Sequence, residues 1–151
     1  MINSFAGEYA FLSNMYPCKI IYKELEFPSS EHLYQWLKIP NTQEGQWWRD
    51  KIREAVHGKV AKKLAANLKC PKVDKFYEFD RVKLDRMKLA VYLKFTQNEK
   101  LAELLRETGD EELIEGNTWN DTFWGVCNGI GQNHLGKILM KMREIIEKNK
   151  I

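Results

Sequence analysis

Glu31 is the first residue whose type and position could serve catalysis. It follows a pair of serines that could cap a helix, and it therefore falls in the first helical turn. The helix dipole and the free amides at that position favour an ionised carboxylate. Tyr34 and Gln35 follow on the same helical face, with Lys38 one turn further. An acid, an amide and a lysine on one face could bind a phosphorylated polyol, although a first-turn acid alone is more often structural.

Asp121 is the second acid whose surroundings suggest chemistry. It lies between Trp119 and Trp124 in a segment without periodicity. Tryptophan rings on both sides can hold an acid beside a flat, stacked ligand such as a nucleobase. The alternative is an aspartate that closes an Asx turn, in a loop that the tryptophans anchor to the core. The sequence leaves both interpretations open.

A glycine-rich stretch, residues 125–131, leads into a predicted helix that Asn133 would cap. A loop of this kind before a helix N-terminus is typical of an anion site, and the alternative is a tight turn without a ligand. It is not the dinucleotide-binding fingerprint, because no strand precedes it and no parallel sheet is predicted. P-loop, GxSxG and HExxH motifs are absent, and the histidines and cysteines lack metal-ligand spacing. We predict neither a metal nor a cofactor.

The rest of the chain predicts a mainly α fold with a small N-terminal β-hairpin (α+β). Residues 18–22 and 25–28 have the pattern of the hairpin. Apolar spacings of three and four predict helices over residues 30–38, 43–53, 56–68, 77–95, 100–107 and 135–146. The third helix carries Val60, Leu64 and Leu68 as its apolar stripe. Residues 116–131 are irregular but rich in aromatic residues, which favours a functional loop.

Composition indicates an ordinary globular protein. Its 151 residues are 44% hydrophobic and 30% charged, which is enough for one domain over residues 1–151. No apolar run approaches the ~20 residues of a membrane span, and no secretion leader opens the sequence. Three cysteines without a CxxC pair argue against a disulfide framework. We expect a cytoplasmic protein with no membrane association, and its oligomeric state stays open.

The net charge of +3 conceals an asymmetry. Residues 49–100 hold 15 Lys and Arg against 7 Asp and Glu, whereas the remainder of the chain is acidic. Such a basic segment indicates an anionic partner, for example a phosphate or a nucleic acid, or else helices whose exposed faces simply carry many lysines.

Four segments, taken together and in order, resemble the NADAR (YbiA-like) family. They are Phe11-Leu12-Ser13-Asn14-Met15-Tyr16-Pro17, similar to FLSNFYP; Pro28-Ser29-Ser30-Glu31-His32-Leu33-Tyr34-Gln35 with Lys38, similar to PSxEHxxQxxK; Asp121-Thr122-Phe123-Trp124-Gly125, similar to DxxWG; and Gly131 to Met140 with Arg143, similar to GxNxLGxxLMxxR. They span residues 11–143, nearly the whole chain. The resemblance implies a compact, mainly helical fold and cleavage of an N-glycosidic bond to a ribose.

The resemblance also implies the site. Glu31 and Asp121 would be the catalytic acids. Together with the aromatic and glycine positions, the pocket would comprise Phe11, Asn14, Tyr34, Lys38, Phe79, Trp119, Trp124, Gly125, Gly131 and Asn133.

Two activities are associated with the family. One removes ADP-ribose from modified guanine in nucleic acid, and the other hydrolyses ribosylaminouracil phosphates of riboflavin synthesis and releases ribose 5-phosphate. Members often carry Trp before a VKxxxM-like stretch, a feature linked to the second activity, whereas this sequence has Phe79, which stacks but lacks the indole N–H. We therefore expect the first activity, with ADP-ribosylated nucleic acid as the partner and a cognate ADP-ribosyltransferase acting on the same substrate. The alternative of another class is a non-catalytic module that binds ADP-ribose or nucleic acid.

Breaking a ribosyl C1′–N bond builds positive charge on the sugar, and a fixed carboxylate stabilises such charge. We expect ionised Glu31 to stabilise the cation or to activate water, and Asp121 to orient ribose hydroxyls or to act as the second acid/base. Trp119 and Trp124 would form walls of the pocket. Lys38 and the glycine-rich loop would bind the phosphate.

Overall fold

The computed structural model describes residues 1–73 and 80–149. The elements along the chain are a 3₁₀ segment Gly7–Leu12, strands β1 (Ile20–Tyr22) and β2 (Leu25–Phe27), and helices α1 (Ser30–Trp36), α2 (Gln43–Glu54), α3 (Gly58–Ala65), α4 (Asp80–Thr96), α5 (Glu99–Glu107) and α6 (His134–Lys148). The strands pair as an antiparallel hairpin. The predicted mainly helical fold with a small hairpin near the start is confirmed.

Helix α1 lies at the centre of the fold, because all its residues are buried and it packs against α2, α3 and α4. Ser29 caps it by accepting the backbone N–H of His32 at 3.1 Å, and its hydroxyl pairs with His32 Nδ1 at 2.6 Å. The other ring nitrogen of His32 lies 2.9 Å from the Ala55 carbonyl oxygen, just after α2. The first turn of α1, where Glu31 lies, is therefore held by a cap and by the end of α2.

Helix α3 buries a different face from the one that its apolar pattern indicates. The predicted stripe includes Val60 and Leu68, and both are exposed. Ala61 and Ala65 are buried instead. α3 ends at Ala65 and packs against α1 and α2, so that its small side chains allow close approach at the contact.

Helix α4 holds the segment that precedes the hairpin through a buried lysine. Lys94 is 1% exposed, and its ammonium donates to the carbonyl oxygens of Phe11 at 2.7 Å and Ser13 at 2.9 Å. Burial lowers the pKa of Lys94 to about 8, and the nearby Cys18 acts in the opposite direction. Lys94 thereby fixes the chain on both sides of Leu12 to the middle of the fold.

Helix α4 is described from Asp80 onward, and the predicted start near Tyr77 lies outside the described residues. It is the longest helix in the described part of the chain, at 17 residues. No described helix has the length and apolar character to cross a membrane.

Short backbone pairings order the irregular segment between α5 and α6. Ile2 forms a parallel bridge with Leu113. Further on, Val126 donates its N–H to the Glu115 carbonyl oxygen at 2.9 Å and accepts the N–H of Asn117 at 2.9 Å. Residues 117–126 consequently form a loop that is closed at its base.

Candidate active site

Glu31 is buried in the first turn of α1. It is 7% exposed, and its Oε2 accepts a hydrogen bond from Gln35 Nε2 at 2.6 Å. The Asn14 carbonyl oxygen accepts the Glu31 backbone N–H at 3.1 Å. The predicted same-face pairing of Glu31 and Gln35 is therefore present as a direct hydrogen bond, which orients the carboxylate.

Burial raises the pKa of Glu31 above its ordinary value, and this effect outweighs the first-turn position that favoured an ionised group. Gln35, Lys62 and Lys38 each act to lower this pKa, whereas Asp121 raises it. The structure thus places Asp121 close enough to Glu31 to affect its pKa. It also places two lysines near Glu31, of which Lys62 was not singled out from the sequence.

Asn117 organises the loop that carries Asp121. Its Oδ1 accepts the Asp121 backbone N–H at 3.0 Å, and its Nδ2 donates to the Asp121 carbonyl oxygen at 2.9 Å. Asp121 Oδ1 in turn accepts the N–H groups of Phe123 at 3.2 Å and Trp124 at 2.9 Å. Asp121 therefore does close an Asx-type turn, one of the two interpretations left open, and it remains close enough to Glu31 to influence that pKa.

A third acid, Glu115, joins this group. Its Oε2 accepts a hydrogen bond from Asn117 Nδ2 at 3.1 Å. Burial, together with Asp121 and Glu31, raises the pKa of Glu115. Asn117 and Lys62 act in the opposite direction, and the net result is a pKa of about 7. Glu115 is not among the residues predicted from the sequence, because it lies in neither a predicted helix nor the glycine-rich stretch. The sequence feature that could have indicated Glu115 is Asn117, an amide two residues later that can bind its carboxyl group.

Gly125 is required by the position of Glu115. A Cβ atom added at residue 125 would lie 1.9 Å from Glu115 Oε2 and 2.0 Å from the Glu115 carbonyl oxygen. The absence of a side chain at residue 125 thus allows this part of the loop to pack directly against Glu115. This is a packing role toward an acid, whereas the family resemblance placed Gly125 among the pocket residues.

Helix α3 begins directly against Glu31. A Cβ at Gly58 would lie 3.1 Å from Glu31 Cβ and 2.6 Å from Met15 Sδ. One turn further along α3, Lys62 is exposed and lowers the pKa of both Glu31 and Glu115. Lys62 is therefore an exposed lysine close enough to both acids to affect their pKa values.

Aromatic rings form a row next to the acids. Tyr34 and Trp124 meet edge to face with centroids 5.6 Å apart, and Phe123 continues the row at 4.7 Å from Trp124. The Lys38 ammonium lies 4.6 Å from the Tyr34 centroid, and that of Lys83 lies 4.0 Å from the Phe123 centroid. The row thus has a cation at each end, which suits a ligand that carries both flat and anionic parts.

The other predicted pocket residues divide by exposure. Trp119 is 62% exposed, so its indole stands at the surface of the loop. Phe11 is 4% exposed and belongs to the hydrophobic core. Phe79 lies outside the described residues.

Asn14 and Asn133 turn their amides inward. Asn14 Oδ1 accepts from Ser30 Oγ at 2.9 Å, and its Nδ2 lies 3.0 Å from Met87 Sδ. Asn133 occupies the N-cap position of α6 without making a side-chain cap bond; instead its Oδ1 accepts the Glu115 backbone N–H at 2.9 Å. Both side chains therefore hold the framework around the acids.

The first amides of α6 are already occupied. His134 and Leu135 donate their N–H groups to the carbonyl oxygens of Phe123 and Trp124, at 3.1 and 2.9 Å. Gly131, with φ 154°, packs so tightly that a Cβ there would lie 2.1 Å from the Gly125 carbonyl oxygen. The anion role predicted for the glycine-rich loop therefore cannot use these two amides, and the loop serves to dock the 121–125 segment onto α6.

Comparisons with known proteins agree along nearly the whole chain. A family model described as the NADAR domain matches residues 3–147. A riboflavin biosynthesis protein of Vibrio vulnificus is 34% identical over 142 residues, which is 93% of this chain but 36% of that protein, so the chain spans about a third of this longer relative. An N-glycosidase of Nostoc punctiforme is 35% identical over 140 residues, covering 91% of this chain and 86% of that protein.

A solved structure has the same fold. The NMR structure of the Escherichia coli protein YbiA superimposes with a TM-score of 0.81 and 30% identity, covering 100% of this chain and 89% of that one. The protein of that name in E. coli strain K12 is called N-glycosidase YbiA and is 33% identical over 144 residues.

Proposed function

The chain belongs to the NADAR domain family, and we propose that it removes ADP-ribose from modified guanine in nucleic acid. It is a hydrolase of N-glycosyl bonds, the activity for which its relatives from Nostoc and E. coli are named. The observation that carries the proposal is that buried Glu31 lies within electrostatic reach of Asp121 and of two lysines. Acids beside cations in one pocket suit a substrate that is anionic at its phosphates and becomes cationic at its sugar.

The reaction separates C1′ of a ribose from a base nitrogen. Positive charge develops on the sugar, and the Glu31 carboxylate would stabilise it or take a proton from the attacking water. Burial raises the pKa of Glu31, and Gln35, Lys62 and Lys38 act against that effect and favour the ionised form that this role needs. Asp121 has one oxygen bound by backbone amides, and its other oxygen would orient ribose hydroxyls.

Three features support ADP-ribosylated nucleic acid as the substrate. The lysines near the pocket, Lys38, Lys62 and Lys83, can meet a pyrophosphate or a phosphate backbone. Trp119 is exposed next to Asp121, where an extruded or single-stranded base can stack. Phe79 stands where the aminouracil activity is linked to tryptophan. A cognate ADP-ribosyltransferase acting on the same base would supply the substrate.

The second candidate is hydrolysis of ribosylaminouracil phosphates. The observation that favours it is the riboflavin biosynthesis name of the Vibrio relative, which is 34% identical over 142 residues. The same acids would cleave the same type of bond, and one phosphate would occupy the site of the pyrophosphate. A binding module without catalysis is the third possibility, and it gives the buried acids no chemical role.

Two substrates offered side by side test these possibilities. Purified protein is incubated with an oligonucleotide that carries ADP-ribosylated guanine, and separately with ribosylaminouracil phosphate. Release of ADP-ribose from the oligonucleotide is the expected result. Release of ribose 5-phosphate alone would replace the proposal with the riboflavin activity, and binding without either product would indicate the binding module. In the same assay Glu31→Gln should lose most activity. Its matched control is Glu44→Gln, which replaces an exposed first-turn acid of α2.

A further inference from the structure

We propose that Glu115 is the proton donor to the departing base. The inference rests on the proposed N-glycosidase reaction and assigns a third acid to it. Glu115 belongs to none of the motifs that carry the family resemblance. Its assignment depends on how the described residues hold and surround it.

Three contacts hold Glu115 in place. Asn133 Oδ1 accepts its backbone N–H at 2.9 Å, and Val126 donates to its carbonyl oxygen at 2.9 Å. Asn117 Nδ2 binds Oε2 at 3.1 Å, against the backbone of Gly125. Oε1 makes no hydrogen bond with any residue that the structure describes. The carboxyl group is thus fixed at one oxygen and leaves the other to carry a proton.

The charged groups that face Glu115 are Asp121 of its own loop, Lys62 of α3 and Glu31 of α1. Burial and the two acids favour the protonated carboxyl, and they outweigh Asn117 and Lys62, so the pKa lies at about 7. A group with this pKa holds a proton at neutral pH and can also release it.

The three acids can therefore divide the reaction. As the C1′–N bond breaks, its electron pair goes to the base nitrogen, which takes the proton from the Glu115 carboxyl. The water oxygen bonds to C1′, and the water proton passes to the Glu31 carboxylate. Release of that proton to solvent and uptake of one by Glu115 restore the starting state. Neither an oxidant nor a co-reactant other than water is required.

The test is the pH profile of Glu115→Gln, measured by single-turnover release of ADP-ribose from the modified oligonucleotide between pH 5 and 9. Gln keeps the bond from Asn117 but carries no transferable proton. We expect the wild-type rate to fall above pH 7, and the variant to be about 100-fold slower with that fall abolished. Glu112→Gln removes an exposed acid three residues earlier and should behave as the wild type.

The outcomes distinguish the proton-donor role of Glu115 from the glycosidase activity itself. A Glu115→Gln protein within threefold of the wild type, or one that is slow but keeps the alkaline fall, overturns the proton-donor role while the glycosidase activity stands. The second pattern would mean that Glu115 only supports the loop. If the wild-type protein releases no product from either substrate, the proposed function fails and the role of Glu115 fails with it.

Discussion

Asn133 binds Glu115 through its side chain: Oδ1 accepts the Glu115 backbone N–H at 2.9 Å, while Nδ2 donates to the Leu113 carbonyl oxygen at 2.9 Å. The side-chain amide of the N-cap residue of α6 therefore binds the backbone of the segment that carries Glu115. One helix terminus thus sets the position of a titratable group 18 residues earlier in the chain.

Glu31→Gln should abolish most turnover without unfolding the protein. Loss of the carboxylate removes the group that stabilises positive charge on the sugar, so we expect single-turnover rates to fall by roughly 10²–10⁴-fold. Gln is close in size and can still meet Gln35. Rates and thermal unfolding are compared with those of Glu44→Gln, and near-normal turnover in Glu31→Gln would remove Glu31 from the mechanism.

Gly125→Ala should damage both the fold and the activity. The new Cβ would lie 1.9 Å from Glu115 Oε2, so either the acid or the backbone must move, at a cost of about 1–3 kcal/mol in unfolding free energy. The comparison is Gly109→Ala, where nothing lies within 4 Å and only the positive φ of 64° is unfavourable, by about 1 kcal/mol. Denaturant unfolding and turnover are measured for both. Equal effects at the two glycines would contradict the close contact with Glu115.

Trp119→Ala should weaken substrate binding and leave stability nearly unchanged. The indole is 62% exposed, and loss of one base-stacking contact costs about 1–3 kcal/mol of binding free energy. The measurement is the Kd for the modified oligonucleotide with the Glu31→Gln protein, which does not turn it over. Trp47→Ala, an exposed tryptophan of α2 at 54%, is the control, and an equal loss there would indicate binding spread over the surface.

The stability of the protein should depend on pH through Glu115. Its pKa is raised from 4.5 to about 7, so the folded state binds more protons than the unfolded state between these values. Stability is therefore lost as pH rises through this window. Glu115→Gln removes that loss, and its unfolding free energy should improve relative to the wild type from pH 4.5 to 7. Parallel stability curves for the two proteins would show that the carboxyl titrates normally.

Lys94→Met should destabilise the fold by about 3 kcal/mol, because the carbonyl groups of Phe11 and Ser13 lose a buried donor. The pKa of Lys94 is lowered from 10.5 to about 8, so the unfolded state binds more protons within this window and wild-type stability gains from rising pH. The difference in unfolding free energy between the wild type and Lys94→Met should therefore increase from pH 8 to 10.5. Lys88→Met changes an exposed lysine on the same helix and is the control. All of these proteins also carry Cys18→Ala, because Cys18 affects the pKa of Lys94.

The helices and the hairpin could be read from local sequence, because apolar spacing and caps act over a few residues. The face that α3 buries could not, since the choice of Ala61 over Val60 depends on how closely α1 approaches. For the same reason the predicted N-cap of Asn133 is in the right place but makes a different bond. Its partner is distant in sequence and close only after folding.

Contacts within one helix could be predicted from the sequence, whereas contacts between distant segments of the chain could not. The pairing of Glu31 with Gln35 follows from helical spacing, and it is present. Glu115 lies in a loop and Lys62 on the third helix, and no spacing rule in the sequence connects either of them with Glu31. The burial that raises the pKa of Glu31 could not be predicted either, because it depends on how the other elements pack around α1.

The central position of α1 has a consequence for how the protein acquires its activity during synthesis. Glu31 leaves the ribosome early, whereas the loop that surrounds it depends on Asn133, which emerges more than a hundred residues later. Most of the contacts that bury α1 are with later elements, so a nascent chain leaves this helix partly exposed until α4 has been made. A partly synthesised chain that lacks Asn133 should therefore not hold Glu115 in place, and we expect it to be inactive.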